Sequence, residues 1–233
     1  MLEENTARLR FRQAFADLVE HVKGATLAPP APRDKIAQLI DEAGALPPEL
    51  ETYFAICNGV EAGDERLMSV ENVLRIDTPG FFAIAEDGCG NYDLVARDLA
   101  VGGGAVVFYD HERGRPDYLV ASSLSAYVDV WVRRVIAAAQ GKPDPARGTL
   151  VFGEAPAGAL PFPFNHPFMQ QHDPDATRLL KDRRFVEQLG DGATPLDLQH
   201  VVRDGSGTSV TRRSPFTGED VVFPAPPTQR RRK

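Results

Sequence analysis

Apolar positions along the first 140 residues change period twice, from helical to alternating and back to helical. Over residues 3–23, Phe11, Phe15, Leu18 and Val22 share one helical face, and Arg8, Arg12, Asp17 and Glu20 fall on others. Gly24 ends that helix, and the proline-rich stretch 25–32 reads as a linker without regular structure. An isolated helix of this length is marginal in water, so the pattern predicts that it docks on the domain after the linker. A second helix spans 33–45, with Ile36, Leu39, Ile40 and Ala43 inward. A third starts at Pro48, a favoured first-turn residue, and carries Leu50, Tyr53, Phe54 and Cys57 to an Asn58-Gly59 exit.

Short alternating or apolar runs come next, at 67–70, 81–86, 92–97, 105–110 and 118–122. Turn-forming residues separate most of them, and the connections are too short for crossover helices, so the sheet is antiparallel. Ser122 or Ser123 then caps a long helix over 124–139. Its inward stripe includes Leu124, Tyr127, Val128, Trp131, Val132, Val135 and Ile136, a spacing that assigns Tyr127 and Trp131 to the core. Helices, a meander and a closing helix define an α+β domain with a mainly antiparallel sheet of about five or six strands.

Beyond Gly141 the pattern loosens. Proline-rich chain over 141–168 reads as extended, 175–189 as a short helix, and 198–223 as a hairpin in which 209–214 or 216–223 supplies the second strand. The final residues, 224–233, are expected to form a disordered tail. The organisation is therefore an N-terminal helix and linker (1–30), a central domain (31–140) and a C-terminal extension (141–233). Seven phenylalanines in 152–223 are too many for a solvated tail, so the extension is expected to lie along the central domain.

Composition is that of a globular protein: 42% hydrophobic and 25% charged over 233 residues. Two cysteines, Cys57 and Cys89, are too few for a disulfide scaffold, which points to a reducing compartment. The first residues lack the apolar core of a secretory signal, and no run approaches the ~20 apolar residues that span a bilayer, so a cytoplasmic location is expected. Charge is unevenly placed. The chain carries −7 overall, yet residues 41–120 hold 5 Lys or Arg against 16 Asp or Glu. That field repels nucleic acid and attracts cationic partners.

The densest group of potential metal ligands is Asp110-His111-Glu112, with Glu86, Asp87 and Asp93 as possible neighbours. Alternation along a strand turns Asp110 and His111 to opposite faces, which reads as a polar strand end. The six-residue spacing of His166 and His172 matches neither a helical pair nor a zinc-finger pair and reads as loop. Cys89 lies among carboxylates that disfavour a thiolate, and Cys57 lies on an apolar helix face. No nucleophile elbow is present, and the triple glycine at 102–104 precedes a strand, where a phosphate loop precedes a helix. No cofactor, metal or membrane is implied.

Three segments resemble the SUKH superfamily, which includes cell-wall-assembly regulators and bacterial immunity proteins. These are the Leu-Pro helix with its Asn-Gly exit (45–60), the hairpin with an acidic glycine turn (81–96), and the strand, strand and Ser-capped aromatic helix of 105–132. The resemblance spans about residues 31–140. It departs at Val60, where members often carry a second glycine. It implies an α+β fold and a non-enzymatic immunity protein that binds and neutralises a cognate toxin, a basic cytoplasm-acting enzyme such as a nuclease. The acidic turns supply the expected partner contacts: Asp64, Glu65, Glu86, Asp87, Asp93, Glu112 and Asp117. An intracellular regulatory or scaffold protein of the same fold is the alternative, and a metal-dependent hydrolase the third.

Overall fold

The computed structural model describes residues 2–74, 80–86, 88–97, 104–111, 115–142, 145, 171–181, 202–203, 209–213 and 220–224, with side chains for most of them. The helices of these segments are α1 (Leu2–His21), α2 (Arg33–Ala43), α3 (Pro48–Phe54), α4 (Leu124–Ala139) and α5 (Pro174–Lys181), and Gln171 and His172 are helical as well. The strands are β1 (Thr26–Leu27), β2 (Val60–Ala62), β3 (Glu65–Leu67), β4 (Phe81–Glu86), β5 (Tyr92–Ala96), β6 (Val106–Asp110), β7 (Arg115–Ala121), β8 (Val202–Arg203), β9 (Ser209–Arg213) and β10 (Asp220–Pro224). The fold is α+β, and every described strand pair is antiparallel.

Strands β4–β7 form a sequential meander, β1–β3 a three-stranded sheet, and β8–β10 a second three-stranded meander. The sequence pattern gives one central sheet of five or six strands; the described sheets hold three and four. The division falls at residues 68–70, expected as strand. Only Glu65–Leu67 pairs with β2, and Met68 turns away to donate its N–H to Ile84 O of β4 (2.9 Å). Ala83 N in turn donates to Val73 O (2.9 Å). The 68–73 segment thus covers the outer edge of β4, which would otherwise offer free backbone groups for pairing.

The proline-rich linker contains regular structure after all. Thr26 and Leu27 precede the prolines, keep their N–H groups, and pair with Glu61 and Val60. Ala28 N donates to Gly59 O (3.0 Å), Asn58 N to Pro29 O (3.0 Å) and Ala31 N to Phe54 O (2.9 Å). These bonds fasten the linker across the end of α3. That helix stops at Phe54, so Cys57 is buried from a turn and not from the helix. Gly59 holds φ at +108°, a conformation that L side chains rarely adopt, and this lets the chain enter β2.

One apolar core runs from α1 to α5. Ala7, Phe11, Ala14, Phe15, Leu18 and Val22 form the buried face of α1, which packs on α4 and α3. The Phe11 ring meets Tyr53 edge-on at 6.0 Å, and Phe15 meets the same ring at 6.1 Å. Strands β4 and β5 are buried and apolar on both faces, from Phe82 to Ala85 and from Leu94 to Ala96. Of the two alternatives for the C-terminal hairpin, the first is realised, since β8 pairs with β9 (209–213); β10 pairs with β9 and not with β8, a third strand that the hairpin reading did not contain. Residues 182–189 of the expected helix, the phenylalanines at 152, 162, 164, 168, 185 and 216, and the tail 225–233 lie outside the described residues.

Candidate functional site

A cleft of about 850 Å³ opens between the β2–β3 hairpin, the paired ends of β4 and β5, and α4. Period-two alternation builds its floor. Asp93 of β5 stands opposite Ala85 of β4 and Phe108 of β6, on the face that α4 covers. From α4, Tyr127, Trp131 and Arg134 line the facing wall at helical spacing. The hairpin contributes Glu61, Asp64, Glu65 and Arg66, and the end of β4 contributes Glu86. Five carboxylates therefore face two arginines across a partly aromatic cavity.

Four of the seven expected contact residues, Asp64, Glu65, Glu86 and Asp93, line this one cleft. Their environments differ from uniform exposed turn tips. Asp64 and Glu65 are exposed at the hairpin turn. Glu86 is half-buried and forms an ion pair with Arg66, because β3 runs beside the end of β4. Asp93 lies inside a strand, and the Tyr127 hydroxyl donates to its Oδ2 (2.7 Å). Asp87 and Glu112, and the side chain of Asp117 on β7, lie outside the described residues.

Tyr127 is thus buried, as its spacing requires, and also bonded to the cleft. Burial first, and then the Asp93 charge, push its phenol well above the usual tyrosine range, so it acts as a hydrogen-bond donor and not as a base. Trp131 is 5% exposed and belongs to the lining of the cleft. A second depression of about 470 Å³ lies across the hairpin turn, between the end of α1 and the end of α4, and shares Asp64, Glu65, Trp131 and Arg134 with the first.

The strand-end group has a structural role on the described side. His111 N donates to Asn91 Oδ1 (3.1 Å), and its ring Nδ1 lies 2.8 Å from the same oxygen. This ties the β4–β5 turn to the end of β6. Among the described residues, no three His, Cys, Asp or Glu side chains are arranged to hold a metal ion. Cys57 Sγ contacts Gly59 O (2.9 Å), and burial pushes its thiol up to about 11.

A polar cluster on the other side of α4 has no counterpart in the sequence reading. Asp129, 9% exposed, meets Arg133 Nε at 3.0 Å, Arg10 Nη2 at 3.4 Å and His172 Nδ1 at 2.9 Å. His172, expected as loop, is a tertiary partner. The available signal was Asp129 itself, a carboxylate inside the apolar run 124–132 of a helix, where an ionised group requires a partner. Glu49 of α3 is a second such residue. It accepts from Ser125 N (2.7 Å) and the Ser125 hydroxyl (3.1 Å), so it caps α4 from a neighbouring helix while Ser123 caps it locally through Ala126 N. Burial raises the Glu49 carboxyl against the lowering effect of these bonds.

No protein-family model matches the chain, and no curated protein matches it in sequence.

Proposed function

We propose that this chain is a SUKH-type immunity protein that neutralises a basic, cytoplasm-acting toxin by stoichiometric binding at the acidic cleft. The observation that carries the reading is the convergence of Asp64, Glu65, Glu86 and Asp93 on one cavity with Tyr92, Phe108 and Trp131 in its lining. Carboxylates beside aromatic side chains suit lysine and arginine, which can combine an ion pair with a cation–π contact. In this reading β3–β7 constitute the SUKH-like layer, with the Met68–Ile84 bond joining its two sheets. The acidic surplus of residues 41–120 raises the association rate by attracting a basic surface before contact.

The test uses the product of the neighbouring gene as the binding partner. Reversing Asp64 and Glu65 to lysine should leave folding within about 0.5 kcal/mol per site, since both are exposed. Association should slow by about one to three decades, and the wild-type rate should fall toward that of the variant as salt is added. A rate indifferent to both changes would remove the cleft from the interface. Failure of that gene product to bind at all would remove the immunity reading.

A further inference from the structure

Segment 171–181 returns to the body of the fold and packs α5 on β7. Ala176 and Leu179 are the buried apolar side chains among its described residues. Polar contacts add to them. Asp173 is 2% exposed and accepts from Ser122 N (2.7 Å) and from the Ser122 hydroxyl. His172 places Nδ1 2.9 Å from Asp129 Oδ2, and its carbonyl accepts from Arg10.

We propose that residues 171–181 form a releasable strap, closed on α1, β7 and α4 by this polar latch and able to open as a unit while the body stays folded. The inference stands apart from the toxin-binding reading. It rests on an asymmetry in who needs the latch. When the strap leaves, Asp129 keeps Arg133 and Arg10 as counter-ions, both from the body. The N-terminus of α4 keeps Ser123 and Glu49 as caps. Among the described residues, no buried charge of the body is orphaned by opening, which is the penalty that normally locks such contacts shut. The strap's own His172 and Asp173 regain water. Opening uncovers Ser122, the Asp129–Arg10–Arg133 cluster and the apolar ground beneath Leu179.

Native-state hydrogen exchange on the full chain, read by mass spectrometry, tests this. In the wild type, the amides of α5 should exchange through a more frequent opening than those of β5 and β6. His172→Ala and Asp173→Asn should each accelerate α5 exchange about ten- to hundredfold, the effect of losing a hydrogen bond to a charged group, with β5 and β6 unchanged. Exchange of α5 in step with β5 and β6 in the wild type would overturn the proposal. So would equal acceleration of all three elements in both variants.

Discussion

Truncating Phe11 to alanine measures whether α1 belongs to the core. The ring is fully buried, stacks on Phe15 at 6.2 Å and meets the edge of Tyr53 at 6.0 Å. Neither neighbour is free to collapse into the gap: Phe15 is held against Tyr53 as well, and Tyr53 is anchored by its hydroxyl bond to Met68 O (3.1 Å) and by Phe54 at 5.2 Å. A residual cavity is therefore expected, and the loss should be about 3–5 kcal/mol, the range for large aromatic truncations in rigid cores. Total stability for a domain is about 5–15 kcal/mol, so this single ring accounts for about a fifth of it or more. For a domain of this size the melting temperature should fall by about 6–20 °C. Leu9→Ala, on the same helix and 69% exposed, provides the control and should shift stability by no more than about 0.5 kcal/mol. Urea titrations followed by far-ultraviolet circular dichroism and by Trp131 fluorescence give both the loss and its cooperativity. A loss below about 1 kcal/mol, or an early transition in circular dichroism that leaves fluorescence untouched, would mean that α1 is a detachable arm and that its packing contributes little.

Three further outcomes are expected from the described contacts. The folded Glu49 carboxyl titrates above its ordinary value of 4.5, so the stability it contributes is fully present below that value and is lost as pH rises through the raised one; urea midpoints of Glu49→Gln should therefore vary less with pH from 4.5 upward than those of the wild type, and parallel profiles would refute the assignment. Tyr127→Phe removes the donor to Asp93 Oδ2 and should cost about 1–3 kcal/mol in a calorimetric comparison; an unchanged melting curve would show that water replaces the hydroxyl without loss. Thiol titration of the native protein at neutral pH should count one fast group, exposed Cys89, and should reach Cys57 only on unfolding, because burial holds Cys57 protonated; two fast groups would contradict the packing at the end of α3.

Periodicity and end signals sufficed for the elements whose stability is local. Phe81–Glu86 coincides with its expected strand and Leu124–Ala139 with its expected helix, and Ser123 is one of the two serines named for the cap. The burial of Phe11, Phe15, Leu18, Tyr53 and Trp131 stems from the same spacing, because an amphipathic face must be covered whatever covers it. The acidic character of the cleft was likewise legible, as a charge surplus over 41–120. The cover over each face, and the pairing of charges, belonged to tertiary structure. Strands as short as Thr26–Leu27 and Val60–Ala62 have no internal period, so only their pairing defines them. Arg66 finds Glu86 because β3 lies beside β4, and Asp93 finds Tyr127 because α4 crosses that strand. Asp129 joins residues 119 and 43 positions away in sequence, Arg10 and His172, a conjunction that no local window contains. Local spacing decides which side chains turn inward, whereas the partners of buried charges are chosen by chain crossings that sequence distance hides.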